Sequence, residues 1–172
     1  IIGGVLYTAP RPAPRHARAE TSITADIEVP FDRGRGGPGG WIILADPELH
    51  LADDGMVPDL AGWRRQRLPA LPDTAFIDVV PDWVCEVLSP RSRAHDRITK
   101  LARYGDHGVA WAWLVDPDAR TLEIFRRDGG AWVLDGAHHG DARVRARPFD
   151  AVELAINWWW GEPPAEVEGG EE

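Results

Sequence analysis

Cysteine is almost missing from this chain: its 172 residues include one, Cys85, together with one methionine and two tyrosines. A single thiol excludes an internal disulfide and any multi-cysteine zinc site. Its place inside an apolar run predicts a reduced, packed side chain, which points to a cytoplasmic setting. Positive charge is also scarce. Nineteen Lys and Arg face 28 Asp and Glu, giving a formal net charge of −9, which argues against strong nonspecific binding to nucleic acid. No apolar stretch approaches the roughly 20 residues that span a bilayer, so no membrane association is expected. The opening IIGGVLY has neither the basic segment nor the cleavage site of a leader. It also lacks Met, from which we expect residues upstream of Ile1 to be missing. What remains is ordinary globular composition, 44% hydrophobic and 27% charged, enough for a single core and without an internal repeat.

The acidic excess is uneven. Glu162, Glu166, Glu168, Glu171 and Glu172 lie among Pro and Gly at the end of the chain, so residues 161–172 are expected to form a disordered tail and 1–160 the domain. Basic residues gather at Arg64, Arg65 and Arg67 and again at Arg91, Arg93, Arg97, Lys100 and Arg103. Both clusters read either as solvated faces or as surfaces that meet a polyanion.

The stretch PDWVCEVLSPRSRAHDRITKLARY, residues 81–104, organises the rest. Trp83 to Leu88 is a nearly continuous apolar run without polar alternation, the pattern of a strand covered on both faces. Alternation puts Val84, Glu86 and Leu88 on one face and Trp83, Cys85 and Val87 on the other. Glu86 therefore has apolar neighbours, and stripping water from its carboxylate costs several kcal/mol unless a cation, a metal or hydrogen bonds compensate. Ser89-Pro90 predicts a helix start. Ala94, Ile98 and Leu101 would form its buried stripe, with Arg93, Arg97, Lys100 and Tyr104 on an adjacent face and Gly105 or Gly108 at the end. This places the Lys100 ammonium within reach of the Glu86 carboxylate.

Elsewhere, Gly3 to Leu6 reads as a strand end and 15–29 as an amphipathic helix with Ala19, Ile23 and Ile27 inward. His16 and Glu20 share a face of that helix and read as a surface pair, with a metal or substrate site as the alternative. FDRGRGGPGG, 31–40, lacks the GK[ST] ending of a phosphate loop and reads as a flexible connector. Strands are expected at Trp41–Leu44 and Glu48–Leu51, with an Asp-Gly turn at 53–55. The next strand should run from Met56 to Trp63 with Asp59 inside it, and a short one from Ala75 to Val80. Ala110–Val115 repeats the buried pattern, Thr121–Arg126 alternates, and Ala131–Leu134 returns after Asp128-Gly129-Gly130. His138 and His139, with Asp141, read as a solvated turn without a third spaced ligand. Trp158, Trp159 and Trp160 must be packed or lie at an interface, and a homodimer contact is one way to cover them.

Asp59 and Glu86 on neighbouring strands would be like charges that need a cation. Oxygen ligands without cysteine or clustered histidine suit Mg²⁺, or Mn²⁺, better than zinc. A lysine beside such an ion could orient or deprotonate water, or stabilise charge on a phosphorane, so metal-assisted phosphodiester hydrolysis is the class expected. The bland alternative is a structural ion-pair network in a non-hydrolytic binding or assembly module.

VPDL at 57–60, CEVLSP at 85–90 and DRITKLARYGDHGVAWAWLVDP at 96–117 together resemble the Uma-type (Uma-two) restriction endonuclease-like family of the PD-(D/E)xK nuclease superfamily. The likeness runs from Gly3 to about Trp160, with the family's opening part absent before Ile1. It implies an α/β fold, a restriction endonuclease-like core with a central mixed β-sheet flanked by helices, and a Mg²⁺-dependent endonuclease acting on DNA. The superfamily's strand usually reads Glu-x-Lys, whereas residue 88 here is Leu; the family takes its lysine from the following helix, and Lys100 matches that position. Carried over, the resemblance implies Asp59, Glu86 and Lys100 as the catalytic set and Asp59, Glu86 and the Val87 carbonyl as metal ligands. Asp96 and Tyr104 would orient Lys100. Arg91, Arg93 and Arg97 would meet the nucleic acid.

Overall fold

The computed structural model of the protein describes residues 1–5 and 13–161. The predicted acidic tail after Gly161 and the strand end at Leu6 lie outside the described residues. Within them, Ile2 and Val5 form a two-residue bridge.

A six-stranded mixed sheet carries the fold, in the order β1-β4-β5-β6-β7-β8. Its strands are β1 (Trp41–Ala45), β4 (Leu60–Arg64), β5 (Trp83–Val87), β6 (Trp111–Asp116), β7 (Thr121–Asp128) and β8 (Ala131–His139). Every neighbouring pair is antiparallel except β5 and β6, which run parallel with Glu86 opposite Leu114 and Val87 opposite Val115. Parallel neighbours require a crossover, and the helical segment at 93–107 supplies it.

Both predicted faces of β5 are buried. Trp83, Cys85 and Val87 join Ala19, Ile23 and Ile27 of helix α1 (Pro14–Ile27) in one core layer. Val84 and Leu88 join Leu101 and Tyr104 of the crossover helix in the other. The first layer is aromatic, with Trp83 and Trp113 each meeting Phe149 edge-on. Burial pushes the Cys85 thiol well up, so it is an inert packing group.

α1 starts with Pro14 at its first position, where the missing amide is no loss. The crossover helix departs from expectation. Expected to start at Ser89-Pro90, it begins at Arg93 after a turn that Ser89 and Ser92 hold reciprocally: each backbone amide donates to the other's hydroxyl, at 3.2 and 3.1 Å. It then runs as α2 (Arg93–His95), a π-helical turn (Asp96–Lys100) and α3 (Leu101–His107), closed by Gly108 in the left-handed conformation. Ala94 is exposed and Ile98 is 70% exposed, whereas Asp96 is 5% exposed. The expected apolar stripe is thus wrong beyond Leu101. The face turned inward carries Lys100 and Tyr104, which donate to the buried Glu86, and Asp96, which flanks Lys100.

Other boundaries also moved. The hairpin pairs β2 (Leu49–Leu51) with β3 (Asp54–Met56), and β1 pairs with β4 instead. The strand expected from Met56 to Trp63 breaks at Val57-Pro58-Asp59, since Pro58 has no amide to donate. Of Ala75–Val80 only Ile77 bridges, to Leu49. His138 and His139 belong to β8 and not to a turn. Residues 143–160 add a small pair, β9 (Arg143–Val144) and β10 (Leu154–Ala155), and a 3-10 helix, Ile156–Trp160. Trp159 is buried there and donates to Asp26, Trp160 donates to the Gly140 carbonyl, and Trp158 is 43% exposed.

Candidate active site

The site forms where the end of β5, the start of β4, the N-terminal turn of α1 and the crossover helix meet. Glu86 is 2% exposed, and both of its oxygens receive donors. The Lys100 ammonium donates to Oε2 at 2.6 Å and the Tyr104 hydroxyl to Oε1 at 2.6 Å. Lys100 also donates to the Val57 carbonyl at 3.0 Å and lies 3.7 Å from Asp96. Asp96 therefore flanks Lys100, while Tyr104 holds Glu86 and not the lysine.

Asp59 is fixed from two sides. Its Oδ2 accepts the Val87 amide at 2.6 Å, and its Oδ1 is 3.1 Å from His16 Nε2. The same imidazole nitrogen is 3.9 Å from Glu20. One ligand atom from each of His16, Glu20 and Asp59 lies within 4.8 Å of the others, and each residue is partly exposed. The His16–Glu20 pair is thus part of the site and not a surface pair. Its i,i+4 spacing was visible in the sequence, but the Asp59 that completes the group is 43 residues away from His16.

Burial dominates the electrostatics. It pushes the Glu86 carboxyl up to about 8, against the pull of Lys100 and with the push of Asp59 and Asp96. Desolvation acts downward on Lys100, but Glu86, Asp96 and Asp59 outweigh it and the amine is raised. Both members of the pair keep their protons to higher pH than free side chains do. The hydrogen bond to Asp59 raises His16, and burial together with the charges of Asp46 and Asp59 raises Glu20. Asp46, which lies between the strands expected at Trp41–Leu44 and Glu48–Leu51, belongs to this field. Its amide donates to the Asp59 carbonyl at 2.9 Å, and burial and Asp59 raise its carboxyl. Only a strand pairing absent from the local sequence pattern brings it here.

The residue set suits a divalent cation: one imidazole and two carboxylates converge with excess negative charge. An imidazole among the oxygens favours Mn²⁺ over Mg²⁺. The Val87 contact is through its amide, which positions Asp59. Among the basic residues, Arg93 pairs with Asp116 at 2.8 Å and Arg97 with Glu123 at 2.5 Å, while Arg91 is exposed.

A mixed sheet with a parallel central pair and helices packed against it is a restriction endonuclease-like fold. The chain belongs to the Uma2 family, described as "Putative restriction endonuclease", whose profile matches residues 1–157. Its fold is similar to that of a crystal structure from Anabaena variabilis titled "a putative nuclease belonging to DUF820". The TM-score is 0.74 at 21% identity, covering 93% of this chain and 88% of that one. No curated protein matches the chain. No helix among the described residues is long and apolar enough to cross a membrane.

Proposed function

We propose that the protein is a divalent-metal-dependent endonuclease that hydrolyses DNA phosphodiester bonds. The observation carrying this reading is the convergence of Asp59, Glu86 and Lys100 beside His16 and Glu20 at one end of the sheet. His16, Glu20 and Asp59 would hold the cation, with Glu86 adjacent. When bound, a divalent cation supplies Lewis-acid polarisation of a phosphoryl oxygen. Ionisation of Glu86 is favoured by any positive charge placed beside it. Lys100, held by Glu86 and the Val57 carbonyl, would orient the attacking water or stabilise charge developing on phosphorus. Arg91 is exposed and, among the described residues, carries no ion pair, so it is the cation offered to the nucleic acid; Arg93 and Arg97 would have to leave Asp116 and Glu123 first.

A second reading has its own observation. Lys100 is mostly buried and satisfied by Glu86 and Asp96, an arrangement that also suits an inactive binding or assembly module. The two separate by assay. Plasmid and oligonucleotide DNA are incubated with Mn²⁺ or Mg²⁺ and the wild type, Glu86→Ala or Lys100→Ala. Metal-dependent nicking by the wild type alone is expected. Equal nicking by all three, or none by any, would overturn the catalytic assignment.

A further inference from the structure

A cleft of about 480 Å³ opens beside the candidate site. Its walls are Ala13 and Pro14 before and at the start of α1, Leu88 and Pro90 after β5, and Pro117 in the turn after β6. These are uncharged surfaces. His16 forms the wall that the cleft shares with the acidic group, since its Nε2 is 3.1 Å from Asp59. Arg15 and Asp118 also line the cleft, as an exposed pair 3.5 Å apart, a contact too weak and solvated to be a stable closure. The Ser89 hydroxyl is engaged with Ser92 at 3.0 Å, which leaves little in the walls to read a hydrogen-bonding pattern.

We infer that this cleft receives one unstacked nucleobase of the DNA strand whose phosphate lies at the Asp59–Glu86 site; the inference rests on the nuclease reading above. Three observations favour a base as the occupant. The cleft adjoins the site across a single side chain, His16, so the nucleotide next to a phosphate held there would have its base near the opening. The walls are mainly proline and leucine beside the His16 side chain, an apolar lining that takes up a flat base without reading its hydrogen-bonding pattern. The charge balance also leaves a deficit that stacking can fill: the chain carries −9, and Arg93 and Arg97 are already paired with acids, so phosphate contacts alone give weak binding. Arg15, whose partner is loosely held, is placed to meet the flanking phosphate.

Strand selectivity follows. A single strand offers unstacked bases freely, whereas a duplex must first break a pair and a stack. Binding is measured by fluorescence anisotropy with a labelled single-stranded oligonucleotide and its duplex, using Glu86→Gln protein with Mn²⁺ so that cleavage does not intervene. Single strands are expected to bind at least about tenfold tighter than duplex, the scale of one stacking contact, with a shallow salt dependence. Ala13→Trp, which fills the cleft from an exposed position, should lower single-strand affinity about tenfold and leave Mn²⁺ affinity unchanged. Equal affinity for the two substrates, or an Ala13→Trp protein that binds single strands as before, overturns the assignment. Metal-dependent cleavage without strand preference would sink the cleft and spare the nuclease reading; strand-selective binding without cleavage would do the reverse.

Discussion

Replacing Glu86 with glutamine should change how stability depends on pH, not only how large it is. In the fold the carboxyl sits at about 8 against 4.5 for a free side chain, because burial disfavours its charge more than Lys100 favours it. Folding therefore takes up a proton between these values. The stability that this proton supports is fully present below pH 4.5 and is lost as pH rises through 8. The span corresponds to on the order of 5 kcal/mol. Glutamine keeps the shape and cannot ionise, so its profile lacks this fall. It loses instead the charge-assisted bond from Lys100, about 1.5–3 kcal/mol. The two curves should cross: the wild type is the more stable protein near pH 5 and the less stable one near pH 8. Urea unfolding of metal-free protein, followed by tryptophan fluorescence at intervals from pH 5 to 8, measures the difference. His16 and the remaining acids are common to both proteins and largely cancel. Parallel curves would show that Glu86 stays ionised throughout and would refute the reasoning.

Other consequences concern the groups around it. Tyr104→Phe leaves a buried Glu86 oxygen without the donor that stands 2.6 Å from it and should cost about 1–3 kcal/mol of stability; urea unfolding checks it, and a loss under about 0.5 kcal/mol would mean that the hydroxyl does not hold the acid. His16→Ala should weaken Mn²⁺ binding at least about tenfold by calorimetry, and an unchanged affinity would remove His16 from the metal site. Because the bond to Asp59 raises the His16 pKa above 6.5, the imidazole must release a proton to bind metal. Mn²⁺ affinity should therefore fall as pH drops through that raised value; a flat response from pH 8 to 6 would contradict it.

The parts of this fold legible from sequence are those set by apolar continuity. β5 and β6 show as hydrophobic runs, broken in β5 only by Glu86, and both faces of β5 are covered as alternation requires. α1 shows through Ala19, Ile23 and Ile27. Legibility failed where burial is decided by charge. Periodicity favours Ile98 as a core residue, yet Ile98 faces solvent and Asp96 faces inward, since the hydrophobic pattern has no weight for a carboxylate that flanks a buried amine. The Asp59–Glu86–Lys100 set rests on a family likeness together with the oddity of an acid in an apolar strand. His16 and Asp46 could be placed only by tertiary contacts. For His16 the i,i+4 acid was a signal, and for Asp46 no local signal existed.

The location of the amine explains the irregular helix that carries it. A lysine at position 88 would share the Glu86 face of the strand, but that position holds Leu88, which is buried in the core layer against the crossover helix and also lines the cleft. An amine supplied from the crossover must descend onto Glu86 from above the sheet while Tyr104 does the same. The wide turn at Asp96–Lys100 lies where the chain passes from the Ser89–Ser92 cap to the helix that packs on the sheet, and such π turns concentrate at functional positions. Leaving residue 88 apolar thus keeps the cleft wall uncharged, and moving the amine to residue 100 keeps it within 2.6 Å of its acid. Leu88 in the strand and Lys100 in the crossover are one structural solution, in which the charge enters from the helix so that the strand end can remain an apolar surface.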